Sequence, residues 1–494
     1  MRKRAISLAA LVYLLAIGAA AGQKNNYNFT VQTLGGYTTP GVVPFWLRSN
    51  QFGSIPLDGA SLSFIGAARK DYDLSGDKLF DWGASFEGRA NLGQGSNLTL
   101  IEGYGKVRLG IFELRTGRSK MITGLCDTTL TSGSWSISGT NLGIPEVELS
   151  VRDFWTLPWL GELFAFKGNF SHGWMGDVPM NRWFDGGETV SITTYLHQKS
   201  LYGRFGKPSW RVKLYGGFNH QVTWGNEGDF YTSDFELSQA STFLYVLTGK
   251  RYNNGRIEQT RLGNHLGSID IGLEYAFRNT SLFIYRQNLY ESGALAYLAN
   301  IQDGLTGLSL INRKIDNQFF RWHRFNAEFL YTKNQAGEPW SPAYGSPYEG
   351  YYWHGEYING WSYNGIGLGT PFIGTRDAIR KELPAAPEEF FINNRLYVIH
   401  LGFEASIKNI GILFKTSWSR NFGTYWTTDQ EQSTDIPNPG EYGIFGEQDQ
   451  FSGYLDLIYK VNDNIDLGLL GAFDIGELYY NSNGVFIKVA YSFK

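Results

Sequence analysis

The chain of 494 residues contains a single cysteine, Cys126. It can form no internal disulfide, so the fold must close through its own hydrogen bonds and packing. Beyond residue 21 no window approaches the roughly 18 apolar residues that a spanning helix requires. Net charge is nearly absent. The 43 basic and 46 acidic residues leave −3, which gives no reason to expect nucleic acid as a partner. None of the seven histidines has the His-x-x-x-His or His-Glu-x-x-His spacing that sets two metal ligands on one helix face. No Gly-x-Ser-x-Gly elbow is present. Acidic pairs such as Glu388-Glu389 fall in a loop and read as solvated. No motif fixes a catalytic geometry, so no enzyme activity, metal or cofactor is expected.

What is present begins with an export signal. Met1-Arg2-Lys3-Arg4 is basic, Ala5 to Ala16 is mostly apolar, and Ala19-Ala20-Ala21 supplies small residues for cleavage. Residues 1–21 therefore read as a signal peptide. Residues 22–58 are polar, glycine-rich and poorly periodic. They are expected to form a periplasmic lead-in that packs against or into a barrel mouth, because Pro44-Phe45-Trp46-Leu47 and Phe52 want burial. Residues 59–494 read as the barrel itself.

Composition favours a barrel. There are 61 glycines, 30 tyrosines, 34 phenylalanines and 15 tryptophans, with a mean hydropathy of −0.26. Such a mixture fits aromatic girdles outside and polar groups inside, although a large carbohydrate-binding β protein is also rich in aromatics. Alternation supplies the strands. In the last stretch Val485, Ile487, Val489, Tyr491 and Phe493 share one face, and Phe486, Lys488, Ala490 and Ser492 the other. Ile269 to Phe277, Tyr397 to Ile407 and Leu455 to Val461 alternate likewise. Each ends in a tight turn: Arg278-Asn279-Thr280, Lys408 to Gly411, Asn462-Asp463-Asn464.

Strand by strand, a soluble sandwich gives the same pattern. The connections separate the two. Short turns, with Gln94 to Asn97 and Gly206 to Pro208 added, contrast with long stretches at 119–141, 219–240, 334–360, 364–393 and 421–449. Short on one side and long on the other is the outer-membrane pattern. The expected fold is all-β: a transmembrane antiparallel up-and-down barrel of about 14–18 strands, with long extracellular loops and short periplasmic turns.

Three clusters combine aromatics with amides: Gln221 to Trp224, Tyr285-Arg286-Gln287-Asn288, and His354 with Trp361 and Tyr363. Flat rings meet the apolar faces of sugars, while amides and arginine satisfy hydroxyls. Gln221, Trp224, Tyr285, Arg286, Gln287, Asn288, His354, Trp361 and Tyr363 are therefore candidate carbohydrate contacts. The same residue types also line girdles and fill barrel interiors.

At these clusters the chain resembles the capsule assembly Wzi family in its Bacteroidetes form. The resemblance covers nearly the whole mature chain. It runs through Pro44-Phe45-Trp46-Leu47, Gly133-Ser134, His197-Gln198-Lys199-Ser200, Gln221 to Gly225, Tyr285-Arg286-Gln287, Asp303-Gly304-Leu305, Tyr351 to Tyr363 followed by Gly369-Thr370-Pro371-Phe372, and Asn393-Asn394-Arg395 with His400-Leu401-Gly402. It implies an eighteen-stranded outer-membrane barrel that binds capsular or other surface polysaccharide without catalysis. The partners would be that polymer and outer-membrane lipid, and the sequence leaves open a monomer or a larger assembly. Enterobacterial members carry a periplasmic helical bundle, which residues 22–58 do not match because they show no 3.6-residue period. The alternative is an outer-membrane porin or solute channel. An outer-membrane enzyme acting on lipid or glycan is a third, weaker reading.

Overall fold

A computed structural model describes residues 26–39, 42–57, 59–73, 78–93, 96–182, 187–257, 259–314, 319–338, 341–342, 345–385, 389–428 and 444–493. The signal peptide expected at 1–21 lies outside them. Eighteen strands form one sheet. They are β1 (Tyr27–Thr38), β2 (Ala60–Lys70), β3 (Phe80–Gly93), β4 (Asn97–Leu109), β5 (Phe112–Arg118) and β6 (Glu146–Thr156). Next come β7 (Phe164–Arg182), β8 (Glu188–Phe205), β9 (Val212–Trp224), β10 (Asn264–Ala276), β11 (Thr280–Tyr290) and β12 (Gly304–Asn312). The last six are β13 (Phe320–Tyr331), β14 (Leu396–Ile407), β15 (Ile410–Asn421), β16 (Gln448–Lys460), β17 (Ile465–Gly476) and β18 (Ser482–Phe493). Three short helices lie in connections: α1 (Phe45–Arg48), α2 (Glu227–Tyr231) and α3 (Gln239–Thr248).

Consecutive strands pair antiparallel, and β1 pairs with β18, from Phe29 opposite Phe493 to Thr38 opposite Gly484. The sheet is thus a closed outer-membrane β-barrel without an edge, which is how such a wall satisfies every backbone group in lipid. The lead-in expected at 22–58 is corrected here. Tyr27–Thr38 is the first wall strand, and only the stretch after it enters the barrel. Its partner β18 is at the far end of the chain, so no local hairpin advertised it.

The turns at 277–279, 408–409, 461–464 and 206–211 share one end of the barrel. The long connections 119–145, 225–263, 332–395 and 422–447 share the other, which is the extracellular one. The two stretches expected at 334–360 and 364–393 are parts of a single connection between β13 and β14. The short β3–β4 turn proves an exception, standing at the extracellular end.

Strand alternation sets the two faces. Val485, Ile487, Val489 and Tyr491 of β18 are exposed on the outside, as are Ile269, Ile271 and Leu273 of β10. Trp82, Trp159, Trp210, Phe277 and Phe319 stand exposed near the periplasmic turns, where interfacial rings belong. Charged inward residues form pairs across the lumen face: Arg115 to Glu148 at 2.8 Å, Lys213 to Glu274 at 3.2 Å, and Lys488 to Asp456 at 2.9 Å.

Candidate functional site

The lumen is occupied by the chain's own connections. The first is residues 42–57, between β1 and β2. Its one-turn helix α1 follows Pro44 and has no side-chain cap of its own. The wall supplies one: Asp474 of β17 accepts from the Phe45 N–H at 2.8 Å, satisfying a donor that a helix start leaves free. Trp46 donates from Nε1 to Ser417 Oγ of β15 at 3.0 Å, and its ring lies 4.9 Å from that of His400 on β14. Asn91 of β3 donates to the Ser54 carbonyl at 2.8 Å.

The second is residues 119–145, between β5 and β6, which crosses the lumen. Lys120 pairs with Glu87 of β3 at 2.6 Å. The Leu125 N–H donates to Asp270 of β10 at 2.8 Å. Gln287 of β11 accepts from the Trp135 N–H at 3.0 Å and donates to the Leu125 carbonyl at 3.2 Å. Asp127 takes both oxygens to Arg324 of β13 at 3.1 Å. Glu328 of β13 accepts from the Ser132 N–H at 2.6 Å, from Thr131 Oγ1 at 3.1 Å and from the Tyr285 hydroxyl. His400 Nε2 donates to the Leu130 carbonyl at 2.7 Å. Ser136 donates to Asn219 of β9 at 2.8 Å. One loop is thereby fastened to walls on opposite sides of the barrel, largely by charge-assisted bonds of roughly 1.5–3 kcal/mol each.

The third is the long connection 332–395, which packs on the second from above. Tyr352 donates its hydroxyl to the Trp135 carbonyl, and Trp361 donates Nε1 to the Ser136 carbonyl at 2.7 Å. Phe45, Trp135, Tyr351, Tyr352, Trp361, Phe391 and Phe445 are all almost wholly buried in this plug. At the rim, Asp303 accepts from the N–H groups of Asn334 and Gln335 at 3.0 and 2.7 Å and from Tyr351 at 2.7 Å. Burial pushes its carboxyl up to about 6. Glu349 accepts three N–H bonds from Ser292, Gly293 and Ala294, yet burial still pushes it up to about 7.

Chambers lie beside the plug among the described residues. One, of about 200 Å³, lies against β5–β9 and is lined by Arg115, Glu148, Arg152, Lys167, Tyr202 and Lys120. Lys167 there lies 5.1 and 5.4 Å from the ring centroids of Phe154 and Tyr202, and it has no ion-pair partner among the described residues. Another, of about 150 Å³, lies against β1–β3 and β16–β18, with Arg89, Asp456 and Lys488 in its wall.

The nine sequence-derived candidates do not meet in one cleft. Tyr285, Gln287 and Trp361 are buried fixings of the plug. Tyr363 is buried beside them and accepts from Arg118 at 3.3 Å. Gln221 points inward from β9 and is 1% exposed. Arg286 and Asn288 alternate onto the outer face. There Arg286 clamps the carbonyls of Ile301, Gln302 and Asp303, and Asn288 donates to the Ile269 carbonyl at 2.9 Å. Trp224 also faces outward, under Phe243 of α3 with ring centroids 5.5 Å apart. His354 is half-buried at the rim, its Nδ1 accepting from the Glu356 N–H at 3.1 Å. Burial pushes it down to about 4.

Sequence reasoning missed Asp127, Asp270, Asp303 and Glu328 as plug anchors. A single buried carboxylate carries no motif, whether on a polar strand face, as Asp270 and Glu328 are, or in a connection, as Asp127 and Asp303 are. It also missed the exposed rings of the extracellular end: Tyr37, Tyr297 and Trp426, 69%, 57% and 44% exposed.

No family model matches the sequence, and no curated protein matches it. Among solved structures the chain is similar to OccK5 (OpdH) of Pseudomonas aeruginosa, with 11% identity, 94% of this chain and 98% of that one covered, and a TM-score of 0.43. It is also similar to OccAB4 of Acinetobacter baumannii, with 9% identity, 95% and 98% covered, and a TM-score of 0.44. The anion-selective porin of Comamonas acidovorans gives 9% identity, 95% and 98% covered, and a TM-score of 0.37. With all three scores below 0.5, none bears on what this lumen does.

Proposed function

We propose that this outer-membrane barrel is a non-catalytic surface protein that binds capsular or other surface polysaccharide and holds it on the cell, as members of the Wzi family do. The observation that carries this reading is the plug. Connections fastened all round the wall fill the extracellular half of the lumen with buried aromatics. This leaves the outer surface of the long connections, rather than a bore, as the working face. Tyr297 and Trp426, in the connections 291–303 and 422–447, offer flat exposed rings there. Many weak stacking contacts, multiplied along a repeating polymer, give useful retention. The buried clusters around Tyr285 and Trp361 act by shaping that face.

The second reading is a solute channel. It is favoured by one observation, the charged chamber with Lys167 unpaired on aromatic faces. Two measurements separate the readings. Deletion of the gene should lower cell-bound polysaccharide and raise the polymer shed into the medium. Unchanged amounts in both fractions would refute the first reading. In planar bilayers the purified barrel should show no stable large conductance, and a steady open level would favour the channel.

A further inference from the structure

The outer wall carries a feature that neither a lectin nor a channel needs. On β8–β10 the lipid-facing row Leu201, Phe218 and Ile269 is exposed and apolar. One outward position higher the character changes abruptly. The next row reads Lys199, His220, Gly267 and Tyr290, with Lys199 opposite His220 and Gly267 opposite both His220 and Tyr290, and His265 stands one outward position further up β10. Two residues of strand rise about 7 Å. Polar groups that close above an apolar belt stand at the level of lipid headgroups.

This polar patch is covered on two sides. Helix α3 lies on the outside of the barrel, with Phe243 against His172 and His197 at 5.9 and 5.4 Å between ring centroids. Lys199 donates to the Leu247 carbonyl near the end of the helix. On the other side sits the connection 291–303, held by Arg286. Between the two covers runs a cleft of about 370 Å³, walled by His220, His265, Arg261, Tyr290, Leu295 and Ile269.

The hydrogen bonds in the cleft are incomplete. The Leu262 carbonyl can only accept, so His265 Nε2 donates to it at 3.0 Å. A neutral His265 then accepts at Nδ1 from His220 Nε2 at 3.0 Å. That chain leaves His220 Nδ1 as a buried acceptor with no partner. Arg261 spends one N–H on the Ser292 carbonyl at 3.0 Å and has no carboxylate within ion-pair distance among the described residues. Glu291, also in the wall, is turned onto the Tyr352 N–H with both oxygens at 3.1 Å. Burial and the neighbouring Glu349 push its carboxyl well up, so it does not oppose an anion.

We propose that this cleft seats the headgroup of a phosphorylated glycolipid of the outer leaflet. Its phosphate lies on Arg261, a sugar hydroxyl donates to His220 Nδ1, and its chains run down over Ile269. A free anion has no use for Ile269 and Leu295, and an uncharged lipid has none for Arg261. The site is independent of the polysaccharide reading, since it lies outside the barrel and below the surface loops.

The test is native mass spectrometry of the full-length barrel in mild detergent, titrated with diphosphoryl lipid A or with phosphatidylcholine. Wild type should hold one lipid A. Arg261→Gln should weaken that binding about tenfold, the loss of one charge-assisted contact, while Arg256→Gln, an exposed loop arginine, should not. On the unmutated protein, lipid A stripped of its phosphates should bind about tenfold more weakly, which keeps the proposal testable if the variant fails to fold. Equal binding of phosphatidylcholine, no effect of Arg261→Gln in a folded barrel, or displacement of lipid A by inorganic phosphate would each overturn it.

Discussion

Glu328 is where the plug is most exposed to a single change. Its carboxylate, almost wholly buried on β13, receives the Ser132 N–H, the Thr131 hydroxyl and the Tyr285 hydroxyl. Replacing it with alanine leaves three buried donors without their acceptor. Each such orphan costs roughly 1–3 kcal/mol. Asn326 still donates to the Tyr285 oxygen at 2.9 Å, which holds the ring but not its hydroxyl hydrogen, and the loop can relax toward the adjacent chamber. A net loss of about 3 kcal/mol is therefore a reasonable figure. That corresponds to about a hundredfold shift between docked and released loop. Amide hydrogen exchange measures it directly. In Glu328→Ala the amides of 130–135 should exchange about a hundredfold faster, while those of β13 and β14 keep their wild-type rates. Brief conductance steps absent from wild type should accompany the change in planar bilayers. If the loop amides exchange as in wild type, the loop is not held by this carboxylate, and the account of how the lumen is closed fails.

Three further outcomes follow from other contacts. Trp46→Ala removes the Ser417 bond and the ring packed on His400 and Phe372. It should destabilise the plug by about 3–5 kcal/mol, seen as lost protection at 43–54 with the strand signal intact by circular dichroism. Gly36→Val sets a side chain into the Val485 carbonyl and the Phe486 ring at the β1–β18 seam. The barrel should then fold slowly or stay open, read as loss of the heat-modifiable band on gels. The third concerns pH. Burial pushes Glu227 and Glu356 each up to about 7, from an ordinary 4.5. Between those values the docked loop keeps protons that a released loop gives up, so docking is strongest below about 4.5 and weakens as pH rises through 7. Intrinsic-rate-corrected exchange at 227–252 should be faster at about pH 8.5 than at about pH 5.5. A flat profile, or one with the opposite slope, would refute this.

Much of the wall was legible. Alternation in β10, β14, β16 and β18 placed the outward faces correctly, because a wall strand with lipid outside has one apolar face along its length. β1 was missed. Gly35 and Gly36 interrupt its pattern, Gln32 and Thr33 blur it, and its partner β18 lies at the opposite end of the sequence. The candidate site was less legible. The run Tyr285-Arg286-Gln287-Asn288 looked like one cluster. Within a strand, successive residues point to opposite faces, so two of them were bound to face the lumen and two the lipid. The turn at Gln94 to Asn97 shows a different limit, since shortness alone does not say which end a turn occupies.

The rule that outward means apolar fails in one region, and its failure locates the membrane. A lysine facing lipid costs about 2–4 kcal/mol at the bilayer midplane and roughly 0–1 near its surface. Lys199 faces outward directly above exposed Leu201. His220 stands in the same way above Phe218, while on β10 Gly267 follows Ile269 and His265 comes one outward position later. Two neighbouring strands, β8 and β9, thus change from apolar to polar between the same two rows. A chance polar substitution would be confined to one strand. On β8 and β9 the hydrocarbon boundary therefore runs between these two rows, and α3, with Leu244 59% exposed, rests on the wall at the interface rather than in open water. This predicts that Leu244→Asp loosens α3 in lipid bilayers but not in detergent, where no fixed interface exists. Equal loosening in both would mean that α3 is held by the wall alone.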